Sequence, residues 1–467
     1  MPRYRLVAGA CIWLLAALGP SAAHAGEPAG ARAEGTAALL APNGLQVLVL
    51  PRPGSRTVFI EIGVRVGSRD EPLALAGMSH LLEHLLFKEG HQSAGVTPRN
   101  PAFSALRAAG AEINASTDFE LTEYHADLPA DRFEEGWRAL VAMVTATAFD
   151  QADVERERGV VLQEVALGKT DPLAIMAYSV LRRVFPGDPL GQPVIGFRKT
   201  LGRITAQDLQ GYYRRHYVPA NMFAVIAGDV DRERATELVL NTLGSESSVR
   251  GVAHPAYPKP ALRVERLYRF KTLVSQSYLL AGALTGGEES GDAPALALLA
   301  TILGEGKSSR LHRRLVEREA LTNELLAVSF NVSNAGAFSV GLAVDPGKAG
   351  AARAALLEEL ALLAREPVSQ EELAAARMMA RGRLLRELET NAGSAGFLAR
   401  RLFLRQPPDP EHYLDELDRL SASELQAIAA RTWGEGSGPG PIEIQVLPAR
   451  GLGKVVAALK FLLFKRL

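Results

Sequence analysis

Met78-Ser-His-Leu-Leu-Glu-His-Leu-Leu-Phe87 is the stretch on which the reading of this 467-residue chain turns. It contains neither Gly nor Pro and its apolar residues recur at helical spacing, so it reads as a helix, opened by Gly77. Met78, Leu81, Leu82 and Leu85 form one stripe, while His80, Glu83, His84 and Phe87 follow i, i+3, i+4, i+7 on another. A helix this apolar packs against a core, so polar side chains on it lose water and need either a metal or several hydrogen-bond partners. A lone histidine would be read as an ordinary residue with such a partner. Two imidazoles one turn apart instead direct nitrogens at a single tetrahedral zinc, with a glutamate placed to reach a water there. The order H-x-x-E-H reverses the commoner H-E-x-x-H.

Such a centre needs a third protein ligand. Glu155-Arg-Glu157-Arg-Gly-Val-Val-Leu-Gln-Glu164 supplies acids within a helix expected over Ala152 to Gly168. Glu157 and Glu164 are two turns apart and share a face. Glu155 and Arg156 suit an exposed helix end with i,i+4 pairs, whereas Val160, Val161, Leu162 and Val165 indicate burial around Glu164.

Around these helices, Leu45 to Leu50, Thr57 to Val66, Glu112 to Ser116, Leu121 to Leu128 and Met222 to Ala227 read as strands. Further helices are expected near Arg132 to Thr147 and Ala206 to His216. The order fits antiparallel sheet plus helices, an α+β fold, better than strict βαβ alternation. Residues 246–262 are rich in Gly, Ser and Pro and read as a linker. Leu201-Gly-Arg-Ile-Thr-Ala-Gln-Asp-Leu-Gln210 matches Leu417-Asp-Arg-Leu-Ser-Ala-Ser-Glu-Leu-Gln426 in register, which points to duplication, although each holds a helix-starting capping box and part of the likeness is cap chemistry.

Composition bounds the class. Apolar residues make up 47% and charged residues 22%, as in ordinary globular proteins, and the length asks for more than one core. Lys plus Arg equals Asp plus Glu at 52 each, and no basic stripe with interleaved aromatics exists, so nucleic acid is not an expected partner. Arg3 and Arg5, the apolar run Leu6 to Leu18, Pro20 and Ala23-His-Ala25 read as a signal peptide over residues 1–25, followed by a flexible segment 26–42. The alternative, an uncleaved anchor, is disfavoured because the run is well under the roughly 20 residues a span needs. Export to the periplasm or cell envelope follows. The one cysteine, Cys11, falls inside the signal segment, so the mature chain has no disulfide. Residues 451–467, ending in Lys454-Val-Val-Ala-Ala-Leu-Lys-Phe-Leu-Leu-Phe-Lys-Arg-Leu467, form a basic apolar tail that either lies on an anionic membrane surface or docks on its own domain or a partner.

From about Leu45 to Trp433 the sequence resembles the pitrilysin/insulinase family of zinc peptidases, the inverzincins, in its smaller type with the mitochondrial processing peptidase subunits. Besides Gly77 to Lys88, the likeness includes Ile113-Asn-Ala-Ser-Thr117, Glu157 to Glu164, Gly191-Gln-Pro-Val-Ile-Gly196 and Tyr217-Val-Pro-Ala-Asn-Met222 leading to Gly228-Asp-Val. The resemblance implies that His80, His84 and Glu164 ligate Zn2+, that Glu83 is the general base, and that Glu157 is a supporting acid. It also implies that Asn114 and Ala115 lie on an edge strand that binds a peptide or unfolded polypeptide substrate by strand addition. The loop from Gly90 to Phe103 is a few residues longer than the family's.

The same resemblance implies two similar α/β-sandwich domains in tandem, a zinc-binding domain over 43–245 and a second over 263–450. In the second, Ala295 to Gly306 replaces the zinc helix and has no histidine. The family's active single-chain members carry an Arg and a Tyr that hold the substrate carbonyl, and the aligned positions here are Val316 and Asn323. Either a homologous subunit supplies that pair, making a hetero-oligomer, or nearby Arg310, Arg313, Arg314 or Arg318 compensates, or the alignment slips in this segment. The expected function is a zinc metalloendopeptidase. The alternatives are a non-catalytic or weakly active scaffold subunit of a peptidase-like complex and a zinc enzyme acting on something other than peptides.

Overall fold

The computed structural model describes residues 38–87, 101–145, 148–168, 181–182, 184–245, 257, 267–272, 274–434, 441–449, 451 and 454. The first half of the chain runs β1 (Leu39–Leu40), β2 (Gln46–Pro51), β3 (Thr57–Val64), α1 (Met78–Phe87), α2 (Pro101–Ala108), β4 (Glu112–Thr117) and β5 (Thr122–Pro129). It continues with α3 (Phe133–Val144), α4 (Gln151–Gly168), α5 (Arg198–Leu201), α6 (Ala206–His216), β6 (Met222–Gly228) and α7 (Arg232–Asn241). The second half runs β7 (Leu267–Thr272), β8 (Ser277–Thr285), α8 (Ala293–Gly304), a π-helical turn (His312–Arg318), β9 (Thr322–Asn331) and β10 (Gly336–Val344). It ends with α9 (Ala349–Arg365), α10 (Gln370–Leu388), α11 (Asn391–Phe403), α12 (Pro410–Arg419), α13 (Ala422–Trp433) and β11 (Ile442–Pro448).

The two sheets have orders β1-β2-β6-β3-β5-β4 and β7-β11-β8-β10-β9, which correspond strand for strand apart from β1. In each, one pair, β2 with β6 and β7 with β11, is parallel and the rest antiparallel. The sequence repeat falls on equivalent helices: Thr205 caps α6 by accepting from Asp208 N, and Ser421 caps α13 by accepting from Glu424 N. The fold is a duplicated α/β sandwich, as expected.

Each sheet packs one face on its own helices, around Tyr124, Trp137, Leu81, Leu82 and Leu86 in the first half and around Leu298, Leu299, Phe338 and Trp433 in the second. The opposite faces are covered across the halves. Ala395, Leu398, Ala399 and Leu402 of α11 bury Leu48, Phe59, Phe223 and Val225 of the first sheet. Val184, Phe185 and Leu190 of the first half bury Tyr268, Ile442 and Ile444 of the second.

Two arginines of the first half fasten α11 at its ends. Arg52 donates to the carbonyls of Leu388 (2.6 Å), Glu389 (2.6 Å) and Thr390 (3.1 Å), and to Ser394 Oγ. Arg65 donates to Leu402 O at 3.0 Å, so a charged donor of the first half grips backbone carbonyls at each end of the helix. At the hairpin tips, buried Arg69 donates to Glu120 (2.5 Å) and Asn334 (2.7 Å), while Glu120 accepts from Ser333 N at 2.9 Å.

Three expectations are corrected. Leu39 and Leu40 pair with β2 and Ala41 is buried, so residues 39–40 belong to the first sheet and Ala41 to its core rather than to a flexible segment. The supposed loop from Gly90 to Phe103 gives way at Pro101 to α2, with proline at the first helical position. Leu86, not Leu85, completes the buried stripe of α1. The signal segment, most of the linker and most of the tail lie outside the described residues. Tyr257, the linker residue described, donates its hydroxyl to Asp70 (2.9 Å) and accepts at its carbonyl from Asn334 Nδ2 (2.5 Å). Among the described residues no helix is long and apolar enough to cross a membrane.

Because α11 belongs to one half and seals the other's sheet, Leu398→Ala is expected to lower stability by about 2–5 kcal/mol in urea denaturation. It should also speed native-state amide exchange in β3 and β6. Faster exchange confined to the second half would contradict this packing.

Candidate metal centre

Helix α1 is fixed at its N-terminus by groups distant in sequence. The buried Glu71 carboxylate accepts from Gly77 N (2.7 Å) and Ser79 N (2.6 Å), taking up amides that the helix start leaves without partners. Burial pushes the Glu71 carboxyl up to about 8, against the opposing pull of these donors. Ser79 Oγ meets Tyr212 Oη at 2.8 Å, and Tyr212 donates to Gly67 O. Gly77, at φ +97°, lies against Gly196, at φ +75°: a Cβ on Gly196 would come 2.3 Å from Ala76 O. Thr200 donates to the same carbonyl at 2.6 Å. The segment Gly191 to Gly196, noticed in the sequence as a motif, is thus the buttress of α1.

With Met78, Leu81, Leu82 and Leu86 in the core, His80, Glu83 and His84 turn toward α4 and β4. Glu164 Oε2 is 3.9 Å from His80 Nε2, and Glu164 Oε1 is 3.6 Å from His84 Nε2. One donor atom from each of His80, His84 and Glu164 falls within 4.8 Å of the others, the one such cluster among the described residues. Glu157, buried two turns earlier on α4, places Oε2 3.9 Å from His84 Nδ1. Glu83 is 8% exposed, and its Oε2 accepts from Thr117 Oγ1 at 2.7 Å.

The electrostatics favour the neutral forms of His80, Glu83 and Glu164. Burial, and then the neighbouring His84, hold His80 down to about 3, so its imidazole is unprotonated and free to ligate. Burial raises Glu83 to about 7, with Glu164 adding to the rise and Thr117 opposing it, and burial also raises Glu164. Two imidazoles and a carboxylate converging at these distances are a nitrogen and oxygen donor set suited to zinc. His84 has an acid behind it in the manner of a supported ligand, whereas His80 Nδ1 is buried without a hydrogen-bond partner among the described residues.

The other sequence-derived positions are also placed. Strand β4 is the edge of the first sheet, with Asn114 exposed and Ala115 half-buried, opposite His125 and Tyr124. Val316 is half-buried in the π-helical turn and Asn323 is exposed at the start of β9. Of the arginines near them, Arg310 is held bidentate by Glu372 at 2.7 Å, and Arg314 by Glu358, Glu319 and Glu359 at 2.6, 2.8 and 3.0 Å. Arg313 lies 3.6 Å from Glu372, and Arg318 donates to Arg313 O at 3.5 Å. Sequence reasoning missed Glu71 and Thr117. Thr117 stood inside the quoted Ile113 to Thr117 segment, while Glu71 gave no periodic or motif signal.

A duplicated α/β sandwich whose first half alone carries an inverted histidine motif and a downstream carboxylate is the architecture of a zinc protease. Residues 46–197 match the family model described as Insulinase (Peptidase family M16), and residues 203–379 match the Peptidase M16 inactive domain. An uncharacterized zinc protease of Mycobacterium leprae is 31% identical over 407 residues, covering 86% of this chain and 90% of that one. One from Mycobacterium tuberculosis is 32% identical over 396 residues, covering 83% and 88%. The crystal structure of a protease from Helicobacter pylori has a TM-score of 0.77 at 21% identity, covering 88% of this chain and 99% of that one. The chain belongs to the M16 (insulinase) family, and its metal is zinc.

Metal analysis of the purified protein should find zinc, and His80→Ala or Glu164→Gln should remove most of it. Glu157→Gln is expected to weaken zinc affinity by about 10–100-fold in chelator competition, as loss of an outer partner does. Unchanged affinity in Glu157→Gln would exclude Glu157 from supporting His84.

Proposed function

We propose that this chain is a zinc metalloendopeptidase acting on peptides or unfolded polypeptides in the cell envelope. The observation that carries the reading is the convergence of His80, His84 and Glu164, with the Glu83 carboxylate held beside them. His80, His84 and Glu164 would hold the metal, and zinc there supplies Lewis acidity, which makes water more acidic and a carbonyl carbon more electrophilic. Glu83 accepts the proton of the attacking water at Oε1, its Oε2 being engaged by Thr117, and returns it to the departing amine. Glu157 orients His84. The free edge of β4, through the backbone of Asn114 and Ala115, binds an extended substrate by strand addition with little dependence on side chains.

A second, related subunit supplies the carbonyl-binding Arg and Tyr in this proposal. Val316 and Asn323 lack the needed groups, and Arg310 and Arg314 are committed to carboxylates, which disfavours compensation from within the chain. The alternative, a non-catalytic or weakly active scaffold subunit of a peptidase-like complex, is favoured by the same two positions and opposed by the complete ligand set. Export rests on the Arg3 to Ala25 segment, and peripheral membrane contact on the basic apolar tail.

Glu83→Gln should keep its zinc and lose hydrolysis of a quenched peptide by about 10²–10⁴-fold, the usual share of a general base. A Glu83→Gln protein as active as the wild type would remove Glu83 from the mechanism. Tagged protein drawn from its native envelope should bring down a homologue with Arg and Tyr aligned to Val316 and Asn323, and the pair together should exceed the chain alone in peptide turnover. Full activity of the isolated chain would refute the two-subunit reading.

A further inference from the structure

Thr117 is the last residue of edge strand β4, and its hydroxyl is the hydrogen-bond partner of the Glu83 carboxylate among the described residues. The donor is held firmly. A β-branched side chain has few χ1 choices, and Thr117 is registered opposite Thr122, whose own hydroxyl is tied to Val66 O at 2.8 Å. The acceptor is not held firmly by itself. A glutamate has several rotatable bonds and a broad terminal torsion. With Oε2 bound to Thr117, Oε1 is the oxygen left to face the ligand cluster.

We propose that Thr117 is a positioning residue: it fixes the Glu83 carboxylate in the orientation that presents Oε1, so that the strand carrying the substrate edge also sets the place of the base. The inference rests on the reading of Glu83 as the general base. It has a physical consequence for register. A peptide added to β4 is aligned by the backbone of Asn114 and Ala115, and the base is aligned by the side chain two residues beyond Ala115 on the same strand. The register of the substrate and the orientation of the base are therefore both referred to one strand.

The test uses the full-length, zinc-loaded protein, with its companion subunit if activity requires one. Thr117→Val removes the donor at nearly constant shape, Thr117→Ser keeps it, and Glu83→Gln serves as control. For Thr117→Val we expect kcat on a quenched peptide to fall by about 10–100-fold, the scale of a misplaced reacting group, with KM, zinc content and thermal midpoint near wild type. Thr117→Ser should recover most of the loss. Wild-type kcat in Thr117→Val would overturn the proposal, as would equal impairment of both variants accompanied by zinc loss or a raised KM, which marks a merely structural role. If Glu83→Gln itself turns over normally, the general-base reading fails and this inference with it. If Glu83→Gln is dead and Thr117→Val is not, only the positioning role fails. Structures of the two variants read the same point without turnover: a Glu83 carboxylate displaced in Thr117→Val and in place in Thr117→Ser supports it, and an unmoved carboxylate in both refutes it.

Discussion

A sheet has two faces, and in this chain each half has helices enough for only one of them. Left open, the face bearing Phe59, Phe223 and Val225 would expose a contiguous apolar patch, which soluble proteins avoid. The second half covers it with α11, and the first half returns the service through Val184, Phe185 and Leu190. Arg52 and Arg65 make the cover specific by donating charge-assisted hydrogen bonds to carbonyls at the two ends of α11. The halves are therefore not two domains on a string. Each completes the other's sheet, and the buried Arg69, Glu120 and Asn334 contact at the hairpin tips fixes their relative placement.

A metal site built on one helix needs that helix immobile, and the sheet supplies the immobility. α1 is held along its length by its leucines and at its start by Glu71, Gly196 and Thr200. The opposing groups stand on α4 and β4, which pack on it directly. Burial is the main force that drives His80, Glu83 and Glu164 toward neutral forms. For the imidazole this is the ligating form. For the carboxylates a divalent cation reverses the tendency, because its charge favours the ionised state that burial disfavours. The donor set and the metal thus correct each other's cost of being out of water.

How much of this was legible in the sequence depended on whether the cause was local. The α1 residues were legible because helical periodicity and ligand spacing coincide over ten positions, and α6 because a capping box marks its start. The rotation of α1 was legible only to within one leucine. Leu85 and Leu86 both satisfy the period, and it is the packing of the neighbouring elements that buries Leu86. Helix α2 was hidden by its brevity and by Pro101, which reads as a breaker until it is seen to occupy the first helical turn. Glu71 was illegible because nothing in an irregular segment tells that its carboxylate will close over a helix start. Thr117 lay within a noticed motif, yet its role exists only once β4 is laid against α1.

The duplication explains why, among the described residues, one ligand cluster exists and not two. By sheet order, β9 corresponds to β4, and α8 stands to it as α1 stands to β4. Where the first half sets a hydroxyl against a buried carboxylate between helix and edge strand, the second sets Gly304 against Ala327 so closely that a Cβ on the glycine would lie 2.7 Å from the alanine Cβ. The rest of α8 is filled by Leu296, Leu298, Leu299, Ile302 and Leu303, all buried. That is the more stable solution for such a contact, since an apolar interface has no polar group to satisfy, whereas a half-satisfied buried carboxylate is costly. The first half keeps the costlier arrangement in the place where chemistry needs charge, and the second, released from that need, is packed for rigidity and for covering its neighbour's sheet.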